Sequence, residues 1–290
     1  MVQSSHSPVF RFAPSPNGLL HLGHAYSALQ NQKLARAAGG RLLLRIEDID
    51  PGRCKKEFED AIFEDLAWLG IEWEEPVRRQ SEHFSDYART LEGLTERGLL
   101  YPCFCTRSEI EHAIAGVAAW PRDPDGVPLY PGTCKHMSQA ERDRRLASGQ
   151  SAALRIHLDE AIAQGWMRLG WREFGEGPMP RDVSAEPSLW GDAVIGRRDV
   201  PTSYHIAVVV DDALQGVTDV VRGMDIFNAT SLHRLLQELL GLPAPNYHHH
   251  KLLLNENGEK LSKLARSKSV RSLREAGDTA AGVRKKLGFD

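Results

Sequence analysis

Residues Ala13 to Ala25 read APSPNGLLHLGHA. Before them, Pro8 to Phe12 has the composition of a short strand. After them, Leu22 to Ala38 carries a helical pattern, closed by Gly39-Gly40. Arg41 to Glu47, RLLLRIE, is an apolar run of strand length that suits a buried parallel strand. Strand, turn, helix and strand in this order predict a βαβ unit. The helix that starts near His21 then begins at the carboxyl edge of a parallel sheet. Such a helix N-terminus offers free N–H groups and the positive end of the dipole to an anion. Gly18 and Gly23 let a ligand approach closely, and His21 and His24 can donate to phosphate oxygens. The local chemistry favours a nucleotide triphosphate. The plainer alternative is a proline-rich turn with two surface histidines.

Working outward, apolar spacing predicts helices over Cys54 to Leu69, across Phe84 to Leu94, and over Ile226 to Leu240. From Tyr101 to about Arg181 the regular pattern gives way to a stretch rich in Cys, Pro, Gly and Trp, which reads as an inserted subdomain. Order returns with DAVIGRRD (Asp192 to Asp199) and with SYHIAVVVDDALQGVTDVVRG (Ser203 to Gly223), which holds two β-branched runs.

The chain has 290 residues, enough for more than one domain, and its 41% hydrophobic and 26% charged content is that of a soluble globular protein. The longest aliphatic run, Ile206 to Val210, is too short to span a bilayer, and the N-terminus has no apolar signal core. A cytoplasmic protein without membrane contact is expected. The net charge of −3 does not advertise a nucleic-acid binder, but nine Lys/Arg stand against three Asp/Glu between Lys260 and Asp290. A basic tail on an acidic body hints at local anion binding, with a solvated helical face as the plainer explanation.

A second motif completes the first. KLSKL, Lys260 to Leu264, places two lysines and a serine just after Gly258. Mobile cations there can stabilise charge that builds on the α-phosphate and the leaving pyrophosphate in adenylyl transfer. Together, RFAPSPNGLLHLGHA, LRIEDID, YHIAVVVDD, VVRGMD and LLLNENGEKLSKL closely resemble the class I glutamyl-tRNA synthetases, whose signature motifs are of the HIGH and KMSKS type. Leu264 stands where the family's second motif ends in serine. The resemblance covers most of residues 9 to 264. It implies a Rossmann-like α/β catalytic domain, Mg2+ with ATP, and an aminoacyl-adenylate. It gives His21, Gly23, His24 and Lys263 to ATP, with His21, His24, Lys260 and Lys263 as the catalytic set.

Glutamate has two carboxylates and one ammonium, so its pocket needs cations and a carboxylate. Arg11 and Arg222 each end a predicted strand, where open α/β sheets bind ligands, and guanidinium forks match carboxylates. Glu47 can take the ammonium and Tyr204 can add a hydroxyl. By resemblance, Arg11, Phe12, Ala13, Pro14, Ser15, Glu47, Tyr204 and Arg222 match the family's glutamate contacts. Surface ion pairs for the arginines, and an acidic turn or a two-metal cluster for Glu47-Asp48-Asp50, are the rival readings.

Of four cysteines, Cys103, Cys105 and Cys134 lie close in sequence. Three thiolates and one more donor satisfy tetrahedral zinc. From residues alone the fourth donor is Tyr130 or His136. The resemblance favours Tyr130, through the Cys-x-Cys and Tyr-x3-Cys arrangement of the truncated members, and so implies one structural Zn2+ per chain. Cys54 reads as a helix residue outside this set.

Only 26 residues follow Leu264, too few for the anticodon-binding region of a glutamyl-tRNA synthetase. This design resembles the glutamyl-queuosine tRNA(Asp) synthetases, a truncated family. Its members activate L-glutamate without tRNA and transfer it to the queuosine base at the wobble position of tRNA(Asp). The expected division is a Rossmann-like catalytic domain over 1–100 and 183–240, an inserted zinc-binding/acceptor subdomain over 101–182, and a KMSKS-type loop with a short basic region over 241–290. No anticodon-binding domain is expected, and a monomer is. The basic tail and the insert are candidates for holding RNA. The alternatives are an enzyme charging a tRNA 3′ end, a nucleotidyltransferase making a small adenylated cofactor, and a non-catalytic zinc-containing RNA-binding module.

Overall fold

A computed structural model describes residues 7–164, 169–175, 179–253 and 268–289. The first half runs β1 (Val9–Phe12), α1 (Leu22–Ala37), β2 (Arg41–Ile46), α2 (Lys56–Trp68), β3 (Glu74–Arg79), α3 (Phe84–Glu96), β4 (Leu100–Cys103), α4 (Arg107–Ile114) and α5 (Gln139–Ala147). Then come β5 (Ala153–Ile156), α6 (Leu158–Ala163), β6 (Gly170–Glu173), β7 (Arg181–Ser184), β8 (Val194–Gly196), α7 (Tyr204–Leu214), β9 (Asp219–Gly223), α8 (Ala229–Leu240) and β10 (Asn246–His250). Two short helices, α9 (Val270–Glu275) and α10 (Ala280–Lys286), follow.

The large sheet has the order β3-β2-β1-β9-β10-β6-β7. Its pairs are parallel except β6 with β7. The chain leaves β1 toward β2 on one side, and β9 and β10 take the other. The strand order therefore reverses between β1 and β9, which opens a crevice outside their carboxyl ends. Arg11 and Arg222 stand at those ends. A small antiparallel sheet, β4-β5-β8, lies apart. The chain interleaves the two sheets: β6, from within residues 101–182, and β7, which straddles the end of that stretch, extend the large sheet, and β8, beyond it, closes the small one.

Side-chain alternation in β2 shows how the layers form. Leu42, Leu44 and Ile46 pack with α1, α2 and the C-terminal helices in one core. Arg45, fully buried, points to the opposite face and meets α7. A second core gathers α3, α7, α8 and the small sheet. Helix α7 corrects a strand-like expectation. Its run Ile206–Asp212 is buried throughout, so it shows no amphipathic period, and β-branched composition alone reads like a strand. Gly216, at φ +65°, allows the turn into β9.

Smaller corrections follow local chemistry. Helix α2 begins at Lys56, so Cys54 lies ahead of it. A 3-10 turn over Met224–Ile226 precedes α8, which starts at Ala229 rather than Ile226. In the basic tail, Arg271 and Arg274 bond Glu64 on α2, and Arg284 donates to the Leu69 carbonyl at 2.9 Å. These three arginines hold the described part of the tail against α2 and its end. No helix among the described residues is long and apolar enough to cross a membrane.

Candidate active site

The crevice at the strand reversal holds a cavity of about 370 Å³. Arg11, Phe12, Ala13, Pro14 and Ser15 line one side, continuing from β1. His21, Gly23 and His24 come from the start of α1, Glu47 from the end of β2, Tyr204 from the start of α7, and Arg222 from β9. The topology thus brings together every residue that sequence reading gives to glutamate, and the histidine motif with them. Lys260 and Lys263 lie outside the described residues. Their flanks reach this place: Leu253 lines the cavity, Ser269 forms a bridge with His21, and Val270 N–H donates to Leu20 at 2.7 Å.

The histidine motif is a reciprocal helix cap. His21 Nδ1 accepts from the Gly23 and His24 N–H groups at 3.0 and 3.4 Å, and His24 Nδ1 accepts from the His21 N–H at 3.3 Å. The rings stack with centroids 3.8 Å apart. This corrects the expectation of free N–H groups for an anion, because two of them are spent on His21. The donors shift outward. With each Nδ1 accepting, each neutral ring carries its proton on Nε2. Burial lowers the pKa of His21 and pushes that of His24 down to about 3, so His24 is a neutral donor at physiological pH. Gly23 is required by contact: a Cβ there would lie 2.9 Å from His21 Cε1.

A buried ionic network stands behind the cavity. Arg11 Nε and Arg45 Nη1 share Asp212 Oδ1 at 3.0 and 2.8 Å, and Arg45 Nη2 donates to Glu47 at 3.2 Å. Asp211 accepts from Arg78, Gln80 and Tyr87. Asp212 is lowered overall: the Arg11 and Arg45 charges outweigh its burial. Burial raises the Glu47 pKa against the opposing pull of Arg45 and Arg11. The terminal nitrogens of Arg11 have no protein partner among the described residues. A fixed cation therefore presents its fork to the cavity. Sequence reading missed Asp212 and Arg45, although DD in YHIAVVVDD and R in LRIE were in view.

Arg222 is held differently, by uncharged groups: His249 Nε2 at 3.0 Å, Thr230 Oγ1 at 2.6 Å and His233 Nδ1 at 3.2 Å. His249 is the middle residue of His248-His249-His250, which form the end of β10. Thr230, His233, His249 and Glu173 also escaped the sequence reading.

Away from the cavity, the sulfurs of Cys103, Cys105 and Cys134 lie within 4.8 Å of one another, and these three could hold a metal ion. Cys105 and Cys134 are 3.5 Å apart, close to the roughly 3.8 Å edge of a tetrahedron with zinc–sulfur bonds. The Tyr130 hydroxyl lies 3.3 Å from Cys105 Sγ and accepts from the Cys134 N–H at 2.8 Å. His136 is not part of this group. The three thiols, with the Tyr130 hydroxyl beside them, suit a metal ion.

Residues 9–287 match the model of the tRNA synthetases class I (E and Q), catalytic domain. A glutamyl-Q tRNA(Asp) synthetase of Rhodobacter capsulatus is 44% identical over 288 residues, covering 97% of this chain and 100% of that protein. A glutamate–tRNA ligase of Aquifex aeolicus is 40% identical, covering 92% of this chain but 54% of its own length. The solved glutamate tRNA ligase of Elizabethkingia meningosepticum superposes with a TM-score of 0.72 at 27% identity, covering 94% of this chain and 53% of that one. The chain thus spans about half the length of these glutamate–tRNA ligases and the full length of the Rhodobacter relative. A strand order that reverses at the cavity, the histidine pair capping α1 and the near-complete match agree: this chain belongs to the class I tRNA synthetases of the E and Q type, over their catalytic domain.

Proposed function

We propose that this protein activates L-glutamate with ATP, without tRNA, and transfers the glutamyl group to the queuosine base at the wobble position of tRNA(Asp). The observation that carries the reading is the near-full-length similarity to a protein named for that reaction. The cavity supports it. Two buried guanidiniums, a carboxylate and a phenol converge beside the histidine cap. Glutamate brings the complementary charges: Arg222 takes the side-chain carboxylate, Glu47 the ammonium, and Arg11 and Tyr204 add further donors.

In the first step a glutamate carboxylate oxygen attacks the α-phosphorus of ATP, the bond to the β-phosphate oxygen breaks, and pyrophosphate leaves. His21 and His24 donate from Nε2 to phosphate oxygens, with Gly23 giving the close approach. Lys260 and Lys263 add positive charge to the same phosphates. Mg2+ bound with ATP would supply further neutralisation of phosphate charge. In the second step a hydroxyl of the queuosine cyclopentene ring attacks the adenylate carbonyl and AMP leaves. The work of the protein is positioning and electrostatics.

Cys103, Cys105, Tyr130 and Cys134 would hold a structural Zn2+, which would tie the end of β4 to the loop before α5. In this reading a catalytic α/β unit, to whose sheet β6 and β7 belong, carries an inserted zinc-binding part that presents RNA and a short basic end. The enzyme works as a monomer in the cytoplasm.

Glutamate-dependent ATP–pyrophosphate exchange with RNA-free protein tests the reading. Exchange without tRNA, followed by labelling of queuosine-containing but not queuosine-free tRNA(Asp), is the expected result. Exchange only with tRNA, or labelling abolished by periodate-blocked 3′ ends, would replace it with 3′-end charging.

A further inference from the structure

Arg222 is a buried cation whose direct partners are all neutral. For these bonds to form, His249 Nε2 and His233 Nδ1 must both be bare acceptors. The next groups outward make them so. His249 Nδ1 lies 2.7 Å from Glu173 Oε2, and a carboxylate only accepts, so the His249 proton sits on Nδ1. Glu173 is itself buried and ringed by donors: Trp171 Nε1 at 3.0 Å, Gly175 N–H at 2.8 Å and His249 N–H at 2.9 Å. These bonds keep it ionised, outweighing its burial. On the other side His233 Nε2 lies 3.2 Å from His205 Nδ1, so His233 passes its proton outward and keeps Nδ1 bare. Burial lowers the pKa of His249 to about 4 and that of His233 well below its ordinary value, so both rings are neutral.

Three of the five Arg222 N–H donors are thereby committed, and two remain, one on each terminal nitrogen. A carboxylate offers acceptors to both. An amide would turn its own N–H groups toward one of them, an unpaired buried contact of the kind that discriminates strongly. Were the His249 proton on Nε2, it would oppose the Arg222 Nε–H and turn the guanidinium away.

We propose that Glu173, His249 and His233 are positioning residues that set the orientation of Arg222, and through it the preference of the cavity for glutamate over glutamine. This rests on the assignment of Arg222 to the glutamate side chain. Carboxylate, imidazole and guanidinium form a relay in which a buried acid acts on the substrate two groups away, as outer partners tune metal-bound histidines.

The test is pyrophosphate exchange with glutamate and with glutamine. Glu173→Gln keeps the shape but lets the amide donate to Nδ1, which frees the tautomer. The expected result is a KM for glutamate raised about 10- to 100-fold, by analogy with outer-shell changes at metal sites. The KM for ATP should change less than about twofold, and the glutamate-to-glutamine preference should fall by a factor like that for glutamate. His233→Asn, which restores an acceptor facing Arg222, should keep near-normal glutamate KM where His233→Leu loses it. A folded Glu173→Gln protein with unchanged KM and unchanged preference overturns the proposal. Should Glu173→Gln not fold, imidazole 15N shifts of the unaltered protein decide: an Nδ1–H tautomer at His249 is expected, and an Nε2–H tautomer overturns the proposal. Arg222→Ala separates the two levels. If it leaves glutamate KM unchanged, the Arg222 assignment falls and this proposal with it. If it raises KM while Glu173→Gln does not, only the positioning role falls.

Discussion

Asp212 on α7 holds Arg11 on β1 at 3.0 Å, a bond between residues 201 positions apart. The same oxygen takes Arg45 at 2.8 Å. Removing that charge takes from the buried Arg11 its carboxylate partner and leaves Arg45 to Glu47 and Asp211. Asp212→Asn is therefore expected to destabilise the fold by about 3–5 kcal/mol, the cost of breaking a buried ion pair from one side. Urea denaturation measures it. A loss below about 1 kcal/mol would mean that water or a rearranged partner replaces the carboxylate.

Gly23→Ala tests the histidine cap. The added Cβ would lie 2.9 Å from His21 Cε1 and 3.0 Å from Nδ1. The His21 ring must move, and its Nε2–H leaves the position that faces phosphate. Turnover in pyrophosphate exchange should fall by about 10²-fold, the scale of losing one oriented donor. Glutamate KM should stay near normal, since Arg11 and Arg222 are untouched. A raised glutamate KM with normal turnover would contradict the division of roles.

Arg222→Lys keeps the charge and loses the fork. Lysine cannot satisfy His249, Thr230 and His233 while meeting both oxygens of a carboxylate. We expect about 2–3 kcal/mol of lost binding, roughly 30- to 150-fold in glutamate KM. Unchanged glutamate affinity would sink the assignment.

Acid sensitivity should come from buried histidines. Burial lowers His24 to about 3, and His205 and His249 to about 4, against an ordinary 6.5. The unfolded chain therefore binds more protons than the folded one below about pH 6.5, and stability falls as the pH falls toward 4. The limit is on the order of 1.4 kcal/mol per pH unit for each group. Asp65, raised by burial to about 6, works in the opposite direction, stabilising the fold at low pH and losing that contribution as the pH rises through 6. It offsets one histidine, not three. Denaturation midpoints at pH 7 and pH 5 should differ accordingly. His24→Asn, whose side-chain oxygen can still accept from the His21 N–H, should lessen the difference. An identical pH slope in that variant would remove His24 from the explanation.

Metal content provides a separate check. One zinc per chain is expected by elemental analysis, and Cys134→Ser should lose it. Chelation should lower the melting temperature by roughly 5 °C or more, on the order of 2 kcal/mol. Zinc-free native protein of unchanged stability would leave three reduced thiols as the better description.

The parts legible in sequence were those with a local signature. The strand–turn–helix around APSPNGLLHLGHA, the arginines at strand ends and the paired thiols follow from spacing and residue type. Where every face of an element is buried, that signature disappears. Helix α7 hid behind β-branched residues for this reason. Glu173 lies on a four-residue strand inside a stretch without regular pattern, and its importance comes only from its partner His249, 76 residues later. In His248-His249-His250, identical letters conceal opposite faces. His248 reaches Asp219 and Phe174, while His249 stacks with Tyr247 and bonds Arg222. Only pairing in the sheet tells them apart.

The order β3-β2-β1-β9-β10-β6-β7 also constrains how the enzyme comes into being. Arg11 and Glu47 are synthesised early, Arg222 late, and the histidine bonded to Arg222 later still. The Arg11–Asp212 bond closes a loop of 201 residues and the His249–Glu173 bond one of 76, the slow class of folding event. Both bonds need segments from distant parts of the chain in place. Substrate binding therefore reports complete assembly, and a glutamyl-adenylate mimic should slow global unfolding rather than protect one segment.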